Sequence, residues 1–453
     1  MNNRNINFSI LVLTIFFLTL SYSCRKSNYV VKDNIITFRD NGSGTGTTSW
    51  TSDNEYIIEG FVFVNDGQTL TIEAGTVIRG RIGQGLAASA LIVARGAKII
   101  AKGNPENPII FTVEGDDLQG SVPVLAKGLW GGLLILGNAR LNLQSSEGHI
   151  EGIPLSEPRG LYGGSDDQDN SGILQYVSIR HGGTNIGEGN EINGLTLGAV
   201  GNGTIIDHVE IISNADDGIE FFGGCVNCRN IVVAFCGDDA FDYDLGFSGK
   251  GQFLLAIQDL ASGDLLTEAG GGENPIEGEP YSIPEIYNAT FIGSGVGINN
   301  SLISFGFNAG GKFANSIYIN QGKGVELEYT PNRMNSYTQF EKANLEVKNN
   351  VFFNINNDTP EGIFKVVAES GIDVSEQNAI FREYFVSAKN IISDPGIKYE
   401  DGSYKIIPFG DVFTNLAPYP SSWFENVNFK GAFGNYNWAD SWTLLSQSGF
   451  IND

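Results

Sequence analysis

Two acidic clusters that repeat at a fixed interval constrain the fold of this chain more than any other feature of its sequence. They lie in the stretch Asn214–Gly251, and the residue numbers of corresponding members differ by 22. The pairs are Asp216 and Asp238, Asp217 and Asp239, and Glu220 and Asp242. This interval is typical of one coil of a parallel β-helix, in which successive strands stack about 4.8 Å apart. The spacing therefore predicts a stripe of carboxylates along one face.

Short β-strand patterns recur along the rest of the chain at a similar interval. The segment TLTIEAGTVIRG (Thr69–Gly80) is echoed by LIVARGAKIIAKG (Leu91–Gly103). Glycine is abundant, with 59 residues against 14 prolines, and helix patterns are scarce. We therefore predict an all-β fold, a single-stranded right-handed parallel β-helix (solenoid) over residues 49–453. Long loop insertions are expected at Glu147–Asp169, Ala261–Pro284 and Ile355–Ser421.

Asparagines open several of the later strand patterns and indicate where the coils bend. Asparagine hydrogen-bonds to nearby backbone and tolerates the left-handed conformation, so it suits an equivalent bend in successive coils. The candidate bend residues are Asn230, Asn288, Asn315, Asn349 and Asn426.

Apolar side chains are expected to stack inside the coils, because a single coil cannot bury an apolar face alone. The predicted inward residues are Ile72, Val93, Ile135, Val177, Val209, Ile211, Ile231, Val233, Ile317 and Phe352. Trp438 and Trp442 lie four residues apart near the C-terminus. This spacing predicts a short helix that caps the last coil and shields its edge.

The N-terminus has the pattern of a bacterial lipoprotein signal. A nearly continuous apolar run extends from Phe8 to Leu20, and a small residue precedes Cys24. The run has the length of a signal-peptide core and is too short to span a membrane. We predict a signal peptide over residues 1–23, lipidation of Cys24 and a polar tether over residues 24–48. Arg25 replaces the aspartate that retains many lipoproteins in the inner membrane, so the outer membrane is expected. The alternative is an ordinary secretory signal.

The formal net charge of −25 limits the partners of this chain. It argues against nucleic acid and favours hard cations where carboxylates converge. Stacked carboxylates repel one another unless a cation or backbone N–H groups compensate. We predict a calcium site formed by Asp216, Asp217, Glu220, Asp238, Asp239, Asp242 and Asp244. The alternative is a metal-free ladder of turn aspartates that accept backbone hydrogen bonds.

Three cysteines follow Cys24 along the chain. Cys225 and Cys228 form a Cys-x-x-Cys motif between predicted strands, and a short surface disulfide fits an oxidising compartment. A zinc site would need a fourth ligand, for which His208 is the nearby candidate. Cys236 is expected to be buried in a strand.

Several long motifs resemble, in order, a family of right-handed parallel β-helix lipoproteins of the outer membrane of Bacteroidetes. They include WTSDNEYIIEGFVFVNDGQTLTIEAGTVIRG, GLWGGLLILGNA, NADDGIEFFGG and GAFGNYNWADSWTLLSQSGF. The resemblance covers most of the chain from Trp50 to Phe450. It implies the fold and the outer-membrane location, and it implies little about activity.

The acidic clusters are also similar to part of a polygalacturonase motif. In those enzymes, Asn-Thr-Asp on one coil precedes Asp-Asp on the next, and residues 214–217 and 238–239 are similar. One carboxyl group would protonate the leaving oxygen and another would activate water. The alternative catalytic residues are Asp216, Asp238 and Asp239. However, residues 246–249 lack the expected histidine. A lyase would need an arginine or lysine base, for which the candidates are Arg180, Arg229 and Lys250.

The sequence therefore favours a non-catalytic binding or scaffold module over an enzyme. The expected ligand is a glycan or a partner outer-membrane receptor. A polysaccharide-active lyase or hydrolase that uses the aspartate ladder is the alternative. Exposed aromatic residues beside carboxylates suit sugar rings, and the candidates are Trp130, Tyr162, Tyr243, Phe247, Trp438 and Trp442.

Overall fold

The structure is a computed structural model that describes residue 32 and residues 34–453, apart from residues 188–190 and 273–274. Short strands make up most of this part of the chain. The first are β1 (Ile35–Arg39), β2 (Thr48–Trp50), β3 (Glu55–Glu59), β4 (Phe61–Val64), β5 (Thr69–Ile72), β6 (Val77–Gly80), β7 (Ala90–Val93), β8 (Lys98–Lys102), β9 (Ile109–Val113), β10 (Leu133–Leu136) and β11 (Gly148–His149). The next are β12 (Leu161–Tyr162), β13 (Gly172–Arg180), β14 (Leu195–Gly198), β15 (Ile205–Ile212), β16 (Ile219–Phe222), β17 (Asn227–Ala234), β18 (Phe241–Asp244), β19 (Lys250–Ile257), β20 (Thr267–Gly270), β21 (Glu285–Gly295) and β22 (Ser301–Gly306). The last are β23 (Gly311–Ala314), β24 (Ile317–Gln321), β25 (Lys323–Glu328), β26 (Leu345–Lys348), β27 (Val351–Ile355), β28 (Phe364–Val367), β29 (Ile391–Ile392), β30 (Lys398–Glu400), β31 (Ser403–Lys405) and β32 (Ile451–Asn452).

The α-helices of the described chain are few and short. They are α1 (Ser336–Glu341), α2 (Pro360–Ile363), α3 (Ser375–Ser387) and α4 (Leu444–Gln447). None of the helices within the described residues is both long enough and apolar enough to cross a membrane.

The strands stack into two long parallel sheets of 17 and 10 strands. The smaller sheet, which we call the ten-stranded wall, consists of β4, β7, β10, β14, β16, β18, β20, β22, β25 and β28. The larger sheet is folded along its length: the first half of β13 pairs with β8 and the second half pairs with β9. Each coil therefore contributes to three stacked faces, which confirms the predicted parallel β-helix.

A single left-handed residue makes the bend in the folded sheet. On β13 this residue is Tyr176, with φ of 49°, between the two paired halves. The equivalent residues of later coils include Asn230, Asn288, Asn315 and Asn349, with φ between 53° and 57°. Four of the five predicted bend asparagines are thus confirmed as left-handed residues, whereas Asn426 lies outside the coils.

Stacked apolar side chains fill the interior of the coils. Nine of the ten predicted inward residues belong to this core, and Ile317 is the exception. Its neighbour Tyr318 points inward instead and stacks on Phe352, with ring centroids 5.1 Å apart. Because side chains alternate along a strand, Ile317 must face outward.

The β-helix begins earlier in the chain than predicted. Strand β1 pairs in parallel with β3, with Ile35 opposite Glu55, and β2 pairs with β5. Part of the segment predicted as a tether, residues 24–48, therefore forms the first coil. The part of the tether before residue 32 lies outside the described residues.

The C-terminal segment does not cap the last coil, contrary to the prediction. Helix α3 covers that end instead: Phe381 belongs to the interior core and stacks on Phe364 at 4.6 Å. Residues 397–453, which we call the flank, lie along the outside of the larger sheet. Their apolar side chains cover outward residues such as Val232 and Leu255. Trp442 contacts Tyr176 on β13, far from the last coil.

Glu210 on β15 joins the flank to the coils and allows this arrangement to be tested. It is fully buried, and its carboxylate accepts hydrogen bonds from the N–H groups of Leu444 and Leu445, both at 2.9 Å. We expect Glu210→Ala to lower the free energy of unfolding by about 3 kcal/mol, because buried donors lose their partner. Urea denaturation and limited proteolysis of the flank measure this effect.

A matched control is Glu425→Ala. Glu425 is a more exposed carboxylate of the flank that pairs with Arg229 at 3.1 Å, and its loss is expected to cost less than about 1 kcal/mol. Equal stability of the two variants would contradict the proposed anchoring role of Glu210.

Candidate cation-binding site

The two acidic clusters lie one above the other on the outer surface of the ten-stranded wall. Strands β16 and β18 pair in parallel with Glu220 opposite Asp242, which confirms the 22-residue coil. The column continues in one direction to Glu268 on β20 and in the other to Thr196 on β14. The predicted stripe is therefore one carboxylate longer than expected.

The same outward column is apolar in the earlier coils. Thr196 is opposite Leu134, which is opposite Ile92, and Ile92 is opposite Phe63. The insertion that contains Ile150 covers these apolar side chains. The change from apolar to acidic residues thus marks where the covered part of the wall ends and the site begins.

Asp217 and Asp239 precede β16 and β18, and each accepts a hydrogen bond from the next coil. Asp217 Oδ1 accepts from the N–H of Asp239 at 2.8 Å. Asp239 Oδ1 accepts from the N–H of Leu265 at 2.6 Å. These bonds form the turn ladder that the sequence predicts as the metal-free alternative. Each bond uses one carboxylate oxygen, and Asp239 also shares a side-chain hydrogen bond with Glu268.

Three overlapping groups of carboxylates bring possible ligand oxygens within 4.8 Å of one another. The groups are Asp216, Asp217 and Asp238; Asp217, Glu220 and Asp242; and Asp238, Asp239 and Asp264. We call the whole set the carboxylate ladder. Asp217 and Glu220 are each only 8% exposed, whereas Asp238 and Asp264 are exposed. The ladder therefore has a deep end and an end that is open to solvent.

Burial raises the pKa values of six carboxyl groups of the ladder, and neighbouring carboxylates raise them further; the six are Asp216, Asp217, Glu220, Asp238, Asp239 and Asp242. Burial and the charges of Glu151 and Asp238 raise the pKa of Asp216 to about 7. Burial and the charge of Glu268 raise the pKa of Asp242 to about 8. The same causes raise the pKa values of Asp217, Glu220 and Asp239. Among the described residues, every charged group that shifts these values is a carboxylate, so no cationic side chain compensates them.

The donor set fits calcium. Calcium takes six to eight oxygen ligands from carboxylates, carbonyls and water, and the three groups contain only carboxylates. Softer metals that prefer nitrogen or sulfur are disfavoured. A bound divalent cation would offset the repulsion that otherwise favours protonation. Six of the seven predicted ligands belong to the groups, and Asp244 lies outside them.

Asn193 is a further candidate ligand at the deep end. It is 1% exposed, and its Nδ2 donates to Glu220 Oε2 at 2.5 Å. Its buried Oδ1 has no hydrogen-bond partner within the described residues. Amide oxygens are calcium ligands, so Asn193 extends the donor set beyond the carboxylates predicted from the sequence.

Sequence reasoning missed Asp264, Glu268 and Glu151. The first two lie in Ala261–Pro284, which was expected to be an insertion, although Thr267–Gly270 forms the regular strand β20. Thr267 follows its partner Phe241 by 26 residues instead of 22, so the fixed interval did not reveal it. Glu151 comes from the insertion over the wall, and no sequence signal indicates its approach.

The predicted disulfide is not formed, because Cys225 and Cys228 are free thiols. Cys228 is 3% exposed and belongs to the interior core. Cys225 faces outward, with Sγ 3.2 Å from the carbonyl oxygen of Asp167. The two side chains therefore lie on different sides of the backbone. Cys236 is buried, as predicted.

The aromatic residues considered as sugar platforms are mostly inaccessible. Five of them are buried and cannot contact a sugar at the surface: Trp130, Tyr162, Tyr243, Phe247 and Trp442. Trp438 is half-buried, stacks on Phe433 and contacts the His208 ring edge-on. These residues stabilise the core and the flank, so sugar recognition would need other side chains.

The fold and the outer-wall ladder place the chain among parallel β-helix proteins with an acidic surface. The chain belongs to the family of pectate-lyase-like β-helix domains, which matches residues 42–382. This match includes the entire ladder. Comparison with curated proteins and with solved structures gives no match.

The raised pKa values predict how calcium and pH affect stability. An unfolded aspartate has a pKa near 3.9, so between about pH 4 and pH 8 the folded, metal-free ladder holds protons that the unfolded chain has released. The free energy of unfolding therefore falls as pH rises through this window. Calcium binds the deprotonated carboxylates, so its stabilisation should be larger at pH 8 than at pH 5. It should reach about 2.7 kcal/mol when free calcium is 100 times Kd, as measured by melting with and without chelator.

Two variants sharpen this test. Asp217→Asn keeps an oxygen for the Asp239 N–H, removes a charge shared by two groups and should abolish the calcium effect. Asp53→Asn changes an exposed turn residue and should leave the effect intact. A wild-type melting temperature at pH 8 that does not change with chelator would rule out a stabilising ion.

Proposed function

We propose that this protein is a non-catalytic binding module that holds calcium in the carboxylate ladder and uses it to bind an acidic glycan. The observation that carries this proposal is the ladder itself: carboxyl groups with raised pKa values and no cationic neighbour among the described residues. Such a site is costly without a cation and favourable with one.

The open end of the ladder supports a role in ligand binding. Asp238 and Asp264 are exposed, and three carboxylates leave part of a six- to eight-oxygen coordination shell to outside oxygens. A sugar carboxylate can fill those positions. Since the chain carries a net charge of −25, a polyanion would be repelled without a bridging cation. The family description refers to pectate lyase, and pectate is an acidic polysaccharide.

A second candidate, a polysaccharide-active enzyme, is favoured by one observation. The pKa of Asp216, raised to about 7 by burial and by neighbouring charges, keeps this carboxyl group partly protonated at neutral pH. Asp238 belongs to the same group. A protonated acid beside an ionised carboxylate is the pair used in glycoside hydrolysis. Asp216 would then be the general acid, and the exposed Asp238 would activate water; the sequence-based alternative Asp239 is buried, which disfavours it as the base. A lyase is less well supported, because Arg180, one of its candidate bases, is buried.

Binding measurements separate the two candidates. We expect polygalacturonate or alginate oligosaccharides to bind with calcium and to lose affinity by about tenfold or more with chelator or in Asp217→Asn. Asp53→Asn should bind normally. Isothermal titration measures affinity, and reducing-end and unsaturated-product assays measure turnover. Turnover that Asp216→Asn abolishes while its melting temperature is retained would favour the enzyme. Absence of calcium-dependent binding across the panel would exclude the proposed function.

We further propose that the module is lipid-anchored in the outer membrane through Cys24, which lies outside the described residues. The support is the apolar run before Cys24 and the polar residues after it. In the native host, Cys24→Ser should move the protein from the membrane fraction to the soluble fraction and block incorporation of labelled fatty acid. Ser23→Ala keeps a small residue and is the control. Wild-type protein without label would contradict the anchor. A receptor in the same membrane stays a prediction from the sequence.

A further inference from the structure

We propose that the flank carries a second binding site, for a neutral saccharide, in a bowl of about 940 Å³ formed by residues 416–429. The bowl lies over the larger sheet, where Phe424 and Ala417 pack on Tyr287 and Ala314. The carboxylate ladder lies on the ten-stranded wall. The two sites therefore occupy different faces, and this proposal does not depend on the calcium site.

The lining of the bowl is uncharged and combines polar with apolar side chains. It includes four exposed side chains, Ser421, Ser422, Asn426 and Asn428. None of these four side chains has a hydrogen-bond partner within the described residues. Hydroxyl and amide groups both donate and accept hydrogen bonds, so the bowl offers free partners to a ligand rich in hydroxyl groups.

Aromatic rings share the apolar part of the lining with Leu416, Ala417, Pro418 and Val427. Tyr419, Phe424 and Phe429 line the same bowl. Tyr419 and Phe429 are half-buried, so part of each ring is accessible. The C–H face of a pyranose ring packs on an aromatic ring while its hydroxyl groups reach polar neighbours. Rings and amides together therefore match a saccharide better than a purely apolar ligand.

The lack of charge in the lining selects a neutral ligand. No aspartate, glutamate, lysine or arginine lines the bowl, although the chain carries 52 acidic and 27 basic residues. A charged ligand would lose hydration there without gaining an ion pair. A neutral oligosaccharide avoids this cost, and it is not repelled by the net negative charge of the chain.

The bend asparagines hold one side of the bowl in place. Asn315 is fully buried, and its Oδ1 accepts from the N–H of Ala417 at 2.7 Å while its Nδ2 donates to the Ala417 carbonyl at 3.0 Å. Asn288 Oδ1 accepts from Tyr419 Oη at 2.9 Å. The coils thus fix a segment that has no strand or helix of its own.

Gln252 fixes the other side of the bowl. It is fully buried; its Oε1 accepts from the N–H of Glu425 at 2.8 Å and its Nε2 donates to the Glu425 carbonyl at 2.9 Å. A loop held at both sides loses little conformational entropy when a ligand binds. The bonds also satisfy the buried polar groups of Gln252, and they leave the loop preorganised, as a binding loop needs to be.

Isothermal titration of the mature protein with cellotetraose, mannotetraose, maltotetraose and chitotetraose, in chelator, tests this site. We expect saturable binding of at least one of them. The double variant Asn426→Ala/Asn428→Ala should weaken binding by about tenfold or more. Ser422→Trp, which fills the bowl, should abolish binding. Both variants should melt as the wild type does, because none of the three side chains is buried.

Two control variants make the outcome specific. Tyr436→Ala removes a ring that is 72% exposed outside the bowl and should bind normally. Asp217→Asn disables the ladder and should also bind the neutral sugars normally, so the two sites can fail separately. Absence of binding to all four sugars, or binding that the bowl variants leave unchanged, would overturn the proposal.

Discussion

Register between parallel strands is the constraint on which the rest of this structure depends. Because each strand of the ten-stranded wall pairs in register with the next, residues at one position in successive coils form a straight column. An inward column packs apolar side chains, and an outward column carries whatever the sequence places there. The backbone thus brings Glu220, Asp242 and Glu268 together, whereas a surface with freer side chains would let like charges separate.

The carboxylate ladder is consequently a site that the fold itself makes unfavourable when it is empty and ionised. Hydrogen bonds from the N–H groups of Asp239 and Leu265 offset part of this cost. These hydrogen bonds do not reach all of the carboxylate oxygens. The repulsion and desolvation that they leave uncompensated raise the pKa values of Asp216 and Asp242. Cation binding is therefore coupled to the stability of the coils that present the site.

The same regularity determines what covers the outside of the coils. Strands such as β17 are apolar on both faces, with Val233 inside and Val232 outside, which is expected of parallel strands buried on two sides. The flank supplies the outer cover, and the asparagine bends supply hydrogen bonds that fix its position. Within the described residues, an insertion covers the early coils of the ten-stranded wall. The coils that carry the carboxylate ladder leave the outer end of the ladder open to solvent.

The sequence by itself determined the coil length, nine of the ten tested inward residues, four of the bend asparagines and six carboxylates of the ladder. These features repeat locally, so spacing along the chain is sufficient to find them. Only the tertiary structure placed Glu268 on a 26-residue coil, directed Cys228 inward and laid the flank along the larger sheet. The first depends on the length of one loop, and the second on the pairing of Cys228 with the inward Ile206. The course of the flank depends on contacts between residues more than 100 positions apart, such as Asn315 and Ala417. Local periodicity cannot predict such contacts. They form only after the coils have stacked, where an apolar outer face of the coils is still exposed and the flank can cover it.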